Sequence, residues 1–260
     1  MTSPSTATAA TSPFDLHGRC AVVTGASRGI GRAIALGLTR AGAEVVLVGR
    51  PGSNDATREA VVALGGKVDV VDLDMGDLAA VEQVGGELAA SRQVDVVVNN
   101  AGIIDRQDSV DVTREDWQRV LDVNLNGVFL LCQQLGRPMV ARGHGKVVSI
   151  ASLLSFQGGI RVASYAASKH AVAGVTKALA NEWGPHGVQV NAIAPGYIAT
   201  DNTTALRDDP DRSRSILERI PAGRWGSADD IAGAAVFLSS SAADYVNGHV
   251  LAVDGGWLAR

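Results

Sequence analysis

Tyr165 and Lys169 stand four residues apart in S-Y-A-A-S-K, and Ser152 precedes the tyrosine by thirteen. On a helix, residues i and i+4 share a face, so the phenol and the ammonium can meet in one site. A free tyrosine has a pKa of about 10, and a neighbouring ammonium favours the phenolate and brings the group toward working pH. Such a phenol can give a proton to the oxygen of a ketone under reduction, or take one from an alcohol under oxidation. A serine hydroxyl would hydrogen-bond the same oxygen. Standing alone, the pair is ordinary helix surface, so its neighbours must decide.

A second stretch could hold an anion. Thr24-Gly25-Ala26-Ser27-Arg28-Gly29-Ile30-Gly31 follows a β-branched run and opens a helical pattern. Glycines there allow a tight turn, close approach of backbone to a phosphate and close helix-to-strand packing, with the helix N-terminus facing the charge. The spacing is G-x-x-x-G-x-G, a variant of the common dinucleotide fingerprint.

The elements that must position these residues read as alternating strands and helices. Strands are expected near 20–24, 44–48, 67–71, 94–98, 146–150, 188–192 and 250–253. Most are continuous apolar runs, as in strands covered on both faces. Helical patterns run over 30–41, 77–90, 113–139, 163–183 and 228–239, with Thr113 and Ser227 as caps ahead of acidic first turns. The fold class is therefore α/β, a doubly wound parallel sheet of about seven strands with helices on both faces. Residues 1–13, rich in Ser, Thr, Ala and Pro, read as a flexible tail, and 14–260 as one domain. The longest irregular stretch, 194–211, reads as a substrate lid.

Composition narrows the function. The chain of 260 residues carries a net charge of −4 and no block of basic residues, so nucleic acid is not an expected partner. No apolar run approaches the roughly 18 residues that span a bilayer, and a cytoplasmic location follows by elimination. Cys20 and Cys132 sit in apolar runs as reduced thiols. The five histidines lack ligand spacing, so no metal is expected.

Beyond the glycine turn, the chain carries Asp74 in D-L-D-M-G-D, Asn99-Asn100-Ala101-Gly102, Asn124 in D-V-N-L-N-G, Ser152, Tyr165 with Lys169, and Pro195-Gly196. In this order the motifs resemble the short-chain dehydrogenase/reductase family over nearly the whole chain after the tail. The resemblance implies a Rossmann-type fold, a nicotinamide cofactor, a catalytic set of Asn124, Ser152, Tyr165 and Lys169, and a homotetramer. It implies that Lys169 also holds the nicotinamide ribose, and that Asn124 positions a proton-relaying water. Asp74 and Met75 would meet the adenine, Asn100, Ala101 and Gly102 would line the cofactor, and Pro195, Gly196, Ile198 and Thr200 would close over the nicotinamide. Asp74 could equally cap the helix ahead of Leu78.

A Rossmann-type site selects NAD with a carboxylate at the end of the second strand and accepts the NADP 2′-phosphate with an arginine. Here that strand ends in Gly49-Arg50, and Arg28 projects from the glycine turn, which favours NADP(H) over NAD(H). Three stretches, 152–162, 191–203 and R-I-P-A-G-R-W-G with the C-terminal V-D-G-G-W-L-A-R, resemble the family's sugar-acid dehydrogenases. A sugar acid needs a carboxylate clamp: Arg161 is the leading candidate, with a structural salt bridge as its rival, and Gln157, Asn202 and Arg106 are polar walls. Other readings stay open: a 3-oxoacyl-carrier-protein reductase, another polyol or ketone reductase, or a non-catalytic nucleotide sensor. The C-terminal turn at Trp257 is a candidate for contact with a neighbouring subunit.

Overall fold

The computed structural model describes residues 12–260, apart from the side chain of Asn202. The expected tail lies, up to residue 11, outside the described residues, while the Pro13 carbonyl already accepts from the Ala242 N–H and the Ser241 hydroxyl, each at 3.0 Å.

Seven strands, β1 (Cys20–Thr24), β2 (Glu44–Gly49), β3 (Val68–Asp72), β4 (Val96–Asn99), β5 (Gly145–Ile150), β6 (Val188–Pro195) and β7 (Val250–Val253), form one parallel sheet in the order 3-2-1-4-5-6-7. Neighbouring residues on one strand feed opposite cores. Val23 and Leu47 pack with Ile34 and Leu38 of α1 (Gly29–Arg40) and Ile231 and Leu238 of α9 (Ala228–Ser239). Val22 and Val46 pack with Val81 and Leu88 of α3 (Leu78–Ser91) and Leu131, Leu135 and Met139 of α5 (Gly127–Arg142). Helices on both faces explain why these strands read as unbroken apolar runs. Chain order reverses between β1 and β4, and such a switch point opens a crevice at the carboxyl ends of the strands.

The expected caps are in place: the Thr113 hydroxyl accepts from the Asp116 N–H at 3.0 Å, opening α4 (Arg114–Leu121), and Ser227 with Asp230 forms a reciprocal box at the start of α9. Ahead of α3 the cap is Asp77, which accepts from the Ala80 N–H, and not Asp74. Three expectations are corrected. The helix expected over 113–139 is broken by a π-helical turn at Asp122–Asn126 between α4 and α5. An additional helix, α2 (Asp55–Ala63), lies between β2 and β3. The stretch 194–211 is only partly irregular, since β6 extends to Pro195 and short helices α7 (Thr204–Arg207) and α8 (Pro210–Leu217) follow a helical turn at Asp201–Thr203. The C-terminal turn at Trp257–Ala259 packs on its own chain, with Trp257 buried against Leu153, Ile216 and Ile220. Among the described residues, no helix is long and apolar enough to cross a membrane.

The π turn ends against the start of α3's approach loop. A Cβ on Gly127 would lie 2.3 Å from the Met75 carbonyl oxygen, which is backbone and cannot swing aside. Overpacking of this kind costs about 1–3 kcal/mol. We expect Gly127→Ala to lower the melting temperature by about 3–10 °C in a calorimetric scan; an unchanged melting temperature would show that the turn has slack.

Candidate active site

The glycine turn sits where β1 meets α1. A Cβ on Gly31 would lie 2.2 Å from the Gly25 carbonyl and 2.3 Å from Asn100 Nδ2, and Gly25 has φ +64. Asn100 locks this turn, its Nδ2 donating to the carbonyls of Thr24 and Gly25 at 3.0 Å each. The Thr24 hydroxyl accepts from the N–H groups of Asn100 and Ala101, joining the ends of β1 and β4. At the N-terminus of α1, Arg28 makes no side-chain cap and the first turn holds no acid. Its positive end is thus left for an anion, and the glycines let the turn pack tightly against Asn100 and Ala101 without side chains over the helix end, so the residues fit the expected cofactor.

Along the rim of this cleft the expected adenosine residues differ in exposure. Arg28 and Arg50 are exposed. Arg28 Nε lies 3.5 Å from Asp201 of the segment after β6. Asp74 is exposed, and its Oδ1 accepts from the Gly76 N–H at 2.8 Å. Met75 is a correction: its side chain is buried in the core with Val48 and Val81, so only its backbone can face an adenine. On the opposite wall Ile198 is buried, held by an isolated bridge to Gly226, and the Thr200 methyl would stand 3.5 Å from a Cβ on Gly29. The segment from Gly196 to Thr203 therefore lies over the glycine turn.

At the end of β5, Ser152 begins a 3-10 turn, its hydroxyl accepting from the Leu154 N–H at 3.1 Å. The same hydroxyl faces the Tyr165 phenol and favours its ionised form. Tyr165 and Lys169 lie on α6 (Ala163–Trp183), with the Lys169 ammonium 5.5 Å from the Tyr165 ring centre. Two bonds fix α6 to the end of β5: Lys169 Nζ donates to the Ile150 carbonyl at 2.6 Å, and the Ser155 hydroxyl donates to the Lys169 carbonyl at 2.6 Å. Asn124, fully buried in the π turn, pairs with both backbone groups of Ile103, accepting at 2.8 Å and donating at 2.9 Å, and donates to the Ser168 hydroxyl at 3.2 Å. Lys169 and Asn124 converge on Gly102, where a Cβ would lie 3.8 Å from Nζ and 3.3 Å from Oδ1.

Charge in this cluster differs from the expectation. Burial pushes the Tyr165 phenol up; the Ser152 hydroxyl and the charge of Arg106, from the loop after β4, oppose that rise. Burial also lowers Lys169 to about 8, which leaves the amine largely protonated at neutral pH, 5.5 Å from the phenol ring centre.

The family model described as enoyl-(acyl carrier protein) reductase matches residues 25–258. A curated relative, the 2-dehydro-3-deoxy-D-gluconate 5-dehydrogenase of Bacillus subtilis, is 56% identical over 247 residues, covering 95% of this chain and 97% of its own. This chain belongs to the short-chain dehydrogenase/reductase family. A structure from Beutenbergia cavernae, provisionally named an NAD(P)-dependent gluconate 5-dehydrogenase and holding NADP at low occupancy, superimposes with a TM-score of 0.94 at 55% identity, covering 96% of this chain and 100% of that one. A gluconate 5-dehydrogenase from Burkholderia cenocepacia in complex with NADP and tartrate gives 0.91 at 41% identity, covering 95% and 98%.

Of the substrate residues expected in this short-chain dehydrogenase, two are engaged elsewhere. Arg161 Nε lies 3.1 Å from Asp108, an exposed pair, and its carbonyl accepts from the Gln107 N–H. Gln157 Oε1 accepts from the Trp257 indole at 3.3 Å. The side chain of Asn202 lies outside the described residues. The sequence reading left Ser155 and Ser168 unassigned, and nothing in their local pattern singles them out.

Lys169 gives a pH test. Its folded pKa of about 8 lies below the 10.5 of a free lysine, so between these limits the unfolded chain binds more protons and stability rises with pH. The cost of burying the charge is fully present below this window and is relieved above it. In melting curves from pH 7 to pH 10, wild type should gain on Lys169→Met as pH rises; parallel curves would show an undisturbed amine.

Proposed function

We propose that this short-chain dehydrogenase interconverts a secondary alcohol and a ketone on a sugar acid, of the class of 2-dehydro-3-deoxy-D-gluconate or gluconate, with NADP(H) as cofactor. The observation that carries the reading is the placement of Tyr165 and the buried Lys169 on one face of α6, with Lys169 tied to Ile150 at the strand end from which Ser152 follows. Relatives named for this substrate class, at 56% and 50% identity in Bacillus subtilis and Dickeya dadantii, support the choice of sugar acid. NADP in two solved relatives and the pairing of Gly49 with Arg50 and Arg28 support the cofactor.

In this reading Tyr165 is the acid and base. Ser152 holds the reacting oxygen, and the phenol gives it a proton in reduction or removes one in oxidation. The nicotinamide cofactor, when bound, supplies or accepts the hydride. The raised pKa keeps Tyr165 protonated in the empty cleft, the form needed for reduction; oxidation needs added positive charge to release the proton. Lys169 holds the ribose with the donors left after its bond to Ile150, and Asn124 braces the wall at Ile103. Arg106 takes the place of Arg161 as the carboxylate partner, because its charge already reaches the phenol. The reading includes assembly as a homotetramer in the cytoplasm, and the exposed aromatics Trp117 on α4 and Phe129 on α5 are apolar surface that contact with other copies would cover. A light-scattering mass below that of four chains would remove the tetramer.

Kinetics on sugar acids, polyols and acetoacetyl thioesters with both cofactors test the whole reading. Tyr165→Phe should keep NADPH binding yet lose about 10²–10⁴-fold in turnover. Arg106→Ala should raise KM for the sugar acid about tenfold or more and leave a neutral ketone nearly unaffected. Equal losses on both substrates would remove Arg106 from carboxylate recognition, and activity retained by the Phe variant would remove Tyr165 from the chemistry.

A further inference from the structure

β2 ends at Gly49, in register with Asp72 of β3, and the preceding Val48 carbonyl accepts from the Gly25 N–H at 2.8 Å. Gly49 thus stands beside the glycine turn, where an NAD-selecting site would carry its carboxylate. The missing acid is more than a missing side chain, because the space is already taken. A Cβ on Gly49 would lie 2.8 Å from Asn54 Nδ2 and 2.9 Å from Ser53 Oγ.

Neither group is free to turn away. The Ser53 hydroxyl donates to the Arg50 carbonyl at 2.6 Å, closing the turn that throws Arg50 outward. Asn54 is 1% exposed, its Nδ2 facing the Leu47 carbonyl at 3.5 Å. α2 begins one residue later and is tied to the glycine turn by Thr57, whose hydroxyl donates to the Ala26 carbonyl at 2.9 Å and reaches that of Ser27 at 3.3 Å. Asn54 Oδ1 is buried without a partner. A buried acceptor left unsatisfied is a cost, so hydrogen bonding does not explain an asparagine here. Its volume and neutrality do.

We propose that Asn54, with Ser53 beside it, is a positioning residue that acts on cofactor choice through Gly49, by barring a side chain from that position. Its uncharged carboxamide fills the volume over Gly49 that a carboxylate needs, and so keeps the ribose end of the cleft open to a 2′-phosphate. The inference rests on the NADP(H) reading above. Discrimination then has two halves: Arg28 and Arg50 attract the phosphate, and Asn54 holds out the acid that would repel it and welcome the plain ribose.

The test uses Gly49→Asp, Asn54→Ala and the double variant, with NADPH and NADH bound to the purified chain without substrate and followed by nucleotide fluorescence, alongside thermal melts. Asn54→Ala alone should keep the NADPH preference. Gly49→Asp alone should melt about 3–10 °C lower and weaken both nucleotides. The double variant should recover most of that melting temperature and favour NADH by about tenfold or more. Should it not fold, Gly49→Ala in the wild-type and Asn54→Ala backgrounds asks the steric question with a smaller group, and the cost should fall in the second. A Gly49→Asp single variant that reverses the preference at an unchanged melting temperature would overturn the proposal, as would equal costs in both backgrounds. Wild type binding NADH as tightly as NADPH would instead defeat the cofactor reading, while the melting comparison would still report on Asn54.

Discussion

The candidate site depends on one bond, from the Lys169 ammonium to the carbonyl of Ile150. An amine kept out of water is costly, and here burial pulls its pKa down to about 8. That cost is accepted because the bond joins two elements that no ladder connects: Ile150 closes β5, and Lys169 lies one turn into α6 beyond Tyr165. The Ser155 hydroxyl, bound to the Lys169 carbonyl, draws the turn after β5 onto the same place. Ser152 is thereby set against the phenol. With the Ser155 bond, this brace fixes the turn after β5 against α6 in the buried interior.

The sheet was legible in the sequence because its strands are buried on both faces and leave an apolar signal that flanking residues cannot blur. Strand ends moved by a residue or two, as at β4, where Asp95 is buried but donates its N–H to Cys20 outside the strand proper. Tyr165, Lys169 and Ser152 were legible as a group because four-residue spacing and a strand end are local facts. α2 was not: only Thr57 and Val61 of its residues are buried, so it shows no apolar stripe, and a Pro-Gly pair precedes it. Its importance comes from Thr57 reaching back to the glycine turn and Asn54 to the end of β2, which is tertiary.

The π turn was equally invisible. Residues 113–139 keep helical periodicity throughout, and the extra residue is inserted by contacts from elsewhere. Asn124 must meet Ile103, and the Gly127 backbone must meet Met75, so the ladder widens where both demands fall. One contribution to the charge around the phenol was out of reach of local reading for a related reason: Arg106, fifty-nine residues away in sequence, is brought to Tyr165 by the fold.

Arg161 shows how a residue well placed in sequence can be excluded by geometry. Among the described residues it alone, other than glycines, has a positive φ, at +63. Holding a bulky side chain there costs on the order of 1–3 kcal/mol. The conformation turns its carbonyl toward the Gln107 N–H and its guanidinium toward Asp108. Both ends of the residue are thus used to fasten the loop after β4, which carries Arg106, to the loop that follows Ser152. An exposed ion pair contributes little by itself, so the backbone bond must carry most of this clasp, and the charge of Arg161 is left facing Asp108 and not the cleft. Arg161 thereby also fixes the loop on which Arg106 stands.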